Sequence, residues 1–411
     1  MNRFSQIIVF ETIALNLLVP AAHSFSQASG PESVYKLARA EAVSGPVTQW
    51  HFFPETQNRV QEIVALHKES ILWRSGNVVS LPDDYVGASF SRTGNYFALI
   101  MLHDSPLNER RAIAIQVHSA DGKLLYEVVR PYYFDDALPE IDLSDKDGSL
   151  VLGQNTIGKI RLYAADGNLA HEIQLFENAQ FDFERTLHLD LAGNSTFAAL
   201  AGRRGASPFG SGVKNPSAEP EIIIFDLSGR EYWRKNLPEF SAGQLAISPD
   251  GRFITAGSYT TGMRGNIKKR TTLFDASGSK IATIDLLFRY ADFSPDTKFL
   301  VLAEKQTVKL IELANGKVRW TRDIPAEAGM IAEIQVAANG TVVALMATNV
   351  FRKGEFVFTR PQLHIYDKAG TLLQNMTLGD ETFEKPSLAI TEDADEIYIG
   401  LKSSLLIFQV R

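Results

Sequence analysis

The residues that could do chemistry are sparse and poorly grouped. The eight histidines (His23, His51, His67, His103, His118, His171, His188 and His364) are scattered, and no two share the spacing of metal ligands. Cysteine is absent. This removes thiolate metal sites, disulfide frameworks and cysteine nucleophiles. The sequence has no Walker phosphate loop, dinucleotide fingerprint, HExxH or GxSxG. LSDKDGS (143–149) begins like a calcium loop but lacks the ligand pattern and the distal Glu, so a polar hairpin turn is the simpler reading.

Charge is better organised than catalytic residue types. Four links read as long loops: 103–111, 202–221, 258–270 and 348–360. They hold Arg110, Arg111, Arg203, Arg204, Lys214, Arg264, Lys268, Lys269, Arg270, Arg352, Lys353 and Arg360, in a chain of net charge −7. Cations gathered in this way make an uneven field. Four other links, 82–87, 131–140, 178–184 and 379–385, combine carboxylates with aromatics, among them Tyr133, Asp135, Asp136 and Asp182. One reading is a basic rim that attracts an anionic partner. Another is a carboxylate-and-aromatic mouth that holds a cation or stacks on a sugar ring. In a third, rim and ring pair as surface salt bridges, each worth little.

The elements that carry these links follow a repeat, clearest in residues 242–286. There Leu245–Ile247 meets Ser-Pro-Asp-Gly, Phe253–Ala256 follows, Thr272–Phe274 meets Asp-Ala-Ser-Gly, and Ile281–Leu286 closes the unit. Four short strands with two tight turns make an antiparallel sheet the size of a propeller blade. The first turn type recurs at 52–56, 90–94, 143–148, 191–194, 247–251, 293–297, 336–340 and 390–394. The second centres on Gly76, Gly122, Gly167, Gly229, Gly278, Gly316 and Gly370, each preceded by the polar residues that a tight hairpin uses. The two types alternate, and the last unit ends after its third strand, SLLIFQV (404–410). An open edge would expose unpaired backbone, so SVYKLARAEAV (33–43) is expected to supply the missing strand. The expectation is an all-β, single propeller of eight four-stranded blades, with seven as the alternative if the match at 52–56 is accidental. In this layout the long links and the links between blades emerge on one face, with the latter ringing the central channel.

Ser248-Pro-Asp-Gly251 followed by RFITAGS, and Ser294-Pro-Asp-Thr297 followed by KFLVLAE, resemble the WD40-like repeats of TolB-type propellers. ELANGKVRWTRDI (312–324) and FDLSGREYWRKNL (225–237) resemble quinoprotein-type repeats. In both, a Trp (Trp233, Trp320) stands four residues after the turn Gly, and the resemblance implies that it docks one blade against the next. The WD dipeptide of true WD40 repeats is absent. Quinoprotein dehydrogenases are usually longer, and many hold the quinone beside adjacent cysteines, so quinone-dependent redox chemistry is disfavoured.

Bulk properties fit this reading. At 411 residues, 45% hydrophobic and 22% charged, the chain can bury a sizeable core, and a propeller of this length counts as one domain. Net acidity argues against nucleic acid as a partner. The N-terminal stretch has Arg3, an apolar run from Ile7 to Ala22 interrupted by Glu11, and a possible cleavage site at Ala22-His23-Ser24. This is the plan of a secretory signal peptide, with an uncleaved anchor as the alternative. The expected layout is therefore a signal peptide over 1–24, a closing-strand segment over 25–45 and the propeller over 46–411. The function expected is a periplasmic or secreted, non-enzymatic binding scaffold, monomeric, without cofactor and without an integral membrane span once the signal is removed. It would meet a protein or anionic ligand on its long-loop face. The alternative is a hydrolase or lyase with a carboxylate or metal site at the channel mouth.

Overall fold

Among the described residues, thirty-two strands form eight four-stranded antiparallel sheets in a computed structural model. The structure describes residues 34–410 except 44, 55–59, 105–110, 133–137, 155–157, 176–184, 204–219, 238–240, 262–266, 353–354, 381 and 386. Blade 1 runs from Val47 to Ser80 and blade 2 from Tyr85 to Tyr132. Blade 3 spans Glu140–Gln174, blade 4 Arg185–Asn236 and blade 5 Ser241–Ile284. Blade 6 spans Tyr290–Asp323 and blade 7 Met330–Thr377. Blade 8 takes three strands from Leu388–Val410, and its fourth is Tyr35–Ala42, paired antiparallel with Ser404–Val410. The N-terminal strand thus closes the ring, and the eight-blade reading holds.

The turn chemistry explains the local geometry. All seven glycines of the second turn type have positive φ, from +66° at Gly316 to +100° at Gly76, a region that costs L side chains energy and glycine little. In the first turn type, side chains replace missing backbone partners. Ser248 Oγ accepts the Phe253 N–H at 2.9 Å and donates to Asp250 Oδ1 at 2.7 Å. Ser294 repeats both contacts with Phe299 and Asp296.

The core is a ring of eight apolar clusters, each formed mainly between two neighbouring blades. Blades meet at the outside by a rule of position. In five of six steps the residue four after a turn glycine lies against the turn glycine of the next blade: Tyr126 on Gly167, His171 on Gly229, Trp233 on Gly278, Ala282 on Gly316 and Trp320 on Gly370, while Gly122 is met by Val79, three after Gly76. The docking role that the resemblance gave to Trp233 and Trp320 is therefore seen. Trp233 Nε1 also donates to the Ala276 carbonyl at 2.9 Å. Between blades 8 and 1, Trp50 Nε1 donates to the Leu401 carbonyl at 2.7 Å.

Candidate functional site

The innermost strand of a blade has no sheet partner on its channel side, so its free N–H and C=O groups need capping. Side chains two residues before the first-type turn supply it. Asp190 Oδ2 accepts the Ile247 N–H of the next blade at 2.7 Å, and Asp292 Oδ2 accepts the Val336 N–H at 2.7 Å. Ser89 Oγ donates to the Ile141 carbonyl at 3.0 Å. Asp142 occupies the same repeat position in blade 3, but the N–H that it would cap, that of Leu191, donates to Asp190 Oδ1 at 2.9 Å. Asp142 Oδ2 is enclosed and has no hydrogen-bond partner among the described residues.

These three aspartates line a cavity of ≈ 300 Å³ at one end of the channel. Its surface is mostly polar, with Phe90, Leu191, Ala246 and Ala291 as half-buried apolar residues, Ala246 standing between Asp190 and Asp292 and Arg92 at the rim. Burial raises all three carboxyl pKa values. Asp190 is pushed up to about 6 and Asp292 to about 7, with the backbone hydrogen bonds and Arg92 pulling the other way. Asp142 lies well above the usual carboxylate range, through burial first and then the charges of Asp190 and Glu140. On the innermost strands of blades 3 and 7, burial lifts Glu140 and lifts Glu333 to about 8, the latter helped by Asp292. Among the described residues, no three His, Cys, Asp or Glu side chains are grouped to hold a metal ion.

This cavity lies beside the first-type turns, at the opposite end of the channel from the long links. Those links are shorter than the sequence reading supposed. In blade 5 the strands run Phe253–Thr261 and Ile267–Asp275, so Lys268, Lys269 and Arg270 lie on a strand. Blade 7 has strands Val342–Arg352 and Glu355–Tyr366. The physical reason is that TNVFR and EFVFTR continue the β-branched and aromatic pattern of a sheet. The blade 7 hairpin projects, because the first strand stops pairing at Ala347 and the fourth reaches only Gln362. Phe383, from an expected acidic-aromatic link, is buried and clamps this hairpin. Its ring stacks on Phe358 at 5.3 Å, and their backbones exchange hydrogen bonds of 2.9 and 3.1 Å. Phe351, near the hairpin end, is 63% exposed.

The remaining expected site residues divide clearly. Lys268 and Arg270 are exposed, while Lys269 forms an ion pair with Glu304 of blade 6. Arg203 and Arg352 end the second strands of blades 4 and 7. Arg204, Lys214, Arg264, Lys353, Tyr133, Asp135, Asp136 and Asp182 lie outside the described residues. At another link, Asp84 pairs with His103 at 2.6 Å, tying an acidic link to a neighbouring long one. The sequence reading missed the channel aspartates. Their signal is an Asp two residues before the turn in an otherwise apolar run: Ile-Asp142-Leu-Ser, Leu-Asp190-Leu-Ala and Ala-Asp292-Phe-Ser.

Among solved structures, the chain is similar to the C-terminal WD40 domain of Sif2, at 10% identity and a TM-score of 0.56, covering 93% of this chain and 100% of that one. The chain has a WD40-type propeller fold. A eukaryotic initiation factor structure matches at 11% identity and a TM-score of 0.46, covering 84% of this chain and 90% of that one. No protein-family model and no curated protein matches the sequence. At such identities the WD40 likeness concerns architecture, and function has to be argued from sites.

Proposed function

We propose that the protein is an extracytoplasmic, non-enzymatic interaction scaffold that meets its partner on the long-link face. The observation that carries this reading is the projecting hairpin of blade 7. It presents Phe351 at 63% exposure and is held from behind by Phe383. An aromatic anchor on a rigid element is a favourable hot spot, because little conformational entropy is lost on binding. WD40-type propellers commonly act as interaction scaffolds. Exposed Lys268 and Arg270 extend from blade 5 on the same face, which favours a partner with an anionic patch beside an apolar pocket.

Placement outside the cytoplasm rests on the apolar run from Ile7 to Ala22 and the small residues that follow it. Affinity capture from the native envelope tests the scaffold reading. Wild type is expected to recover a partner that the double variant Phe351→Ser, Lys268→Glu loses while keeping the same melting temperature. Equal recovery by both would dismiss this face as the binding surface.

A further inference from the structure

The cavity beside the first-type turns is independent of the hairpin face. We propose that it is a second binding site, for an alkyl ammonium or guanidinium group, with the head seated against Asp142 and a short stem beside Phe90 and Leu191.

The repeat provides the argument. Asp190 and Asp292 are each occupied by a backbone N–H from the next blade. Asp142 has lost that partner to Asp190, and its Oδ2 is enclosed without another among the described residues. A buried acceptor left unpaired costs free energy, and a donor that reaches it recovers this cost. Asp142 forms part of the cavity wall, so a donor seated in the cavity meets its carboxyl group, and a small side-chain shift brings the enclosed oxygen within its reach.

The charges select the sign of the ligand. Three carboxylates face the cavity and one guanidinium, Arg92, stands at its exposed rim. Further along the channel stand Glu140, Glu333 and His188, the last with Nδ1 3.8 Å from Glu140 Oε1. An ammonium or guanidinium donates several charge-assisted hydrogen bonds, which are stronger than neutral ones. The shape adds a smaller preference: the cavity surface is mostly polar, and the half-buried Phe90, Leu191, Ala246 and Ala291 are its apolar residues within reach of a short alkyl stem. A volume of ≈ 300 Å³ lies at the small end of ligand pockets and suits one alkylamine or one basic side chain. Ala246 leaves the space open, because it puts a methyl group in blade 5 where blades 4 and 6 have Asp190 and Asp292.

Burial raises the proton affinity of all three aspartates, so at neutral pH a cation must displace protons. Binding is therefore linked to proton release and tightens as pH rises.

Isothermal titration calorimetry on the whole protein tests this with two probes, 1,5-diaminopentane and a capped peptide with one central lysine. Each is titrated at pH 6 and pH 8, in two buffers of different ionisation enthalpy. Binding of the diamine identifies a free amine as sufficient, and binding of the peptide alone identifies a partner's side chain as the source. Either supports the site if affinity rises with pH, protons are released, and Asp142→Asn weakens binding by about tenfold or more. Ala246→Leu, which fills the gap, should abolish binding while a near-unchanged melting temperature shows that the fold survives. Phe351→Ser should leave the titration unaltered, so failure here is distinct from failure of the hairpin face. No heat from either probe at millimolar concentration and pH 8, or equal affinity in Asp142→Asn, would overturn the proposal.

Discussion

Gln374 of blade 7 holds Tyr35 of the closing strand as a neighbouring strand would. Its Oε1 accepts the Tyr35 N–H at 2.7 Å, and its Nε2 donates to the Tyr35 carbonyl at 3.0 Å. Tyr35 in turn donates its hydroxyl to the Ala394 carbonyl of blade 8 at 2.7 Å. Gln374 stands four residues after Gly370, the position that elsewhere docks a blade on the next turn glycine. At the seam where blade 8 borrows its outer strand, a side-chain amide replaces the ring-on-glycine contact. Gln374→Ala leaves two buried backbone groups unpaired, so it should cost about 1–3 kcal/mol. Chemical denaturation would measure that loss, and limited proteolysis should show faster cleavage around residue 35.

The Trp320 seam offers a second test. The Trp320 ring is buried and lies where a Cβ on Gly370 would stand, 2.8 Å from its Cγ. Trp320→Ala should lose about 3–5 kcal/mol. Gly370→Ala should also destabilise, because φ is +80° and the space is filled. The two costs should combine less than additively, since removing the ring relieves the clash. A double-mutant cycle in urea would show it, and strict additivity would contradict the docking geometry.

The channel carboxyls set a pH dependence with a definite sign. A carboxyl whose folded pKa exceeds its unfolded value binds its proton more tightly in the native state. Stability then falls as pH rises above the unfolded value, and the loss is complete above the folded one. For Asp190 the window runs from 3.8 to about 6, and for Asp292 from 3.8 to about 7. Glu333 extends it from 4.5 to about 8. Asp250, held down to about 2 by its turn hydrogen bonds against the opposing effect of burial, contributes no slope there. Burial lowers the pKa of His51 to about 3 and also lowers those of His118 and His364. This makes stability rise with pH up to about 6.5, so the melting temperature should decline chiefly between about pH 6.5 and pH 8. Asp292→Asn keeps an acceptor for the Val336 N–H and removes one titration, so its profile should be flatter. An unchanged slope would contradict the assignment.

The fold was legible because turns and strands are local. Ser-Pro-Asp-Gly and Asp-Ala-Ser-Gly fix a hairpin through contacts within a few residues, as Ser248 and Asp275 show. The unfinished last unit pointed to Tyr35–Ala42 by the need to pair an edge. What was not legible depends on register across blades. Asp142, Asp190 and Asp292 look like isolated acids in apolar runs until the ring brings each beside the next blade's free backbone edge. The long basic links were misjudged because their polar residues hid a continuing strand pattern, as at Lys268–Arg270 and Val350–Arg352. Nothing local marks Phe383 as a clamp rather than a channel-mouth aromatic.

That clamp should govern the hairpin. Phe383→Ala removes a ring stacked on Phe358. Hydrogen exchange should accelerate at the Phe358 amide and around it, with the blade 5 amides unchanged. Partner capture should weaken with it, because a loosened anchor loses more entropy on binding.

The most direct measurement is site-specific photocrosslinking in cells. A crosslinking residue is placed at Phe351, at Lys268, or at Val129, which is 52% exposed on the outer strand of blade 2. The scaffold account predicts that positions 351 and 268 trap the same partner and that 129 does not. A partner trapped equally from all three positions, or from 129 alone, would contradict it.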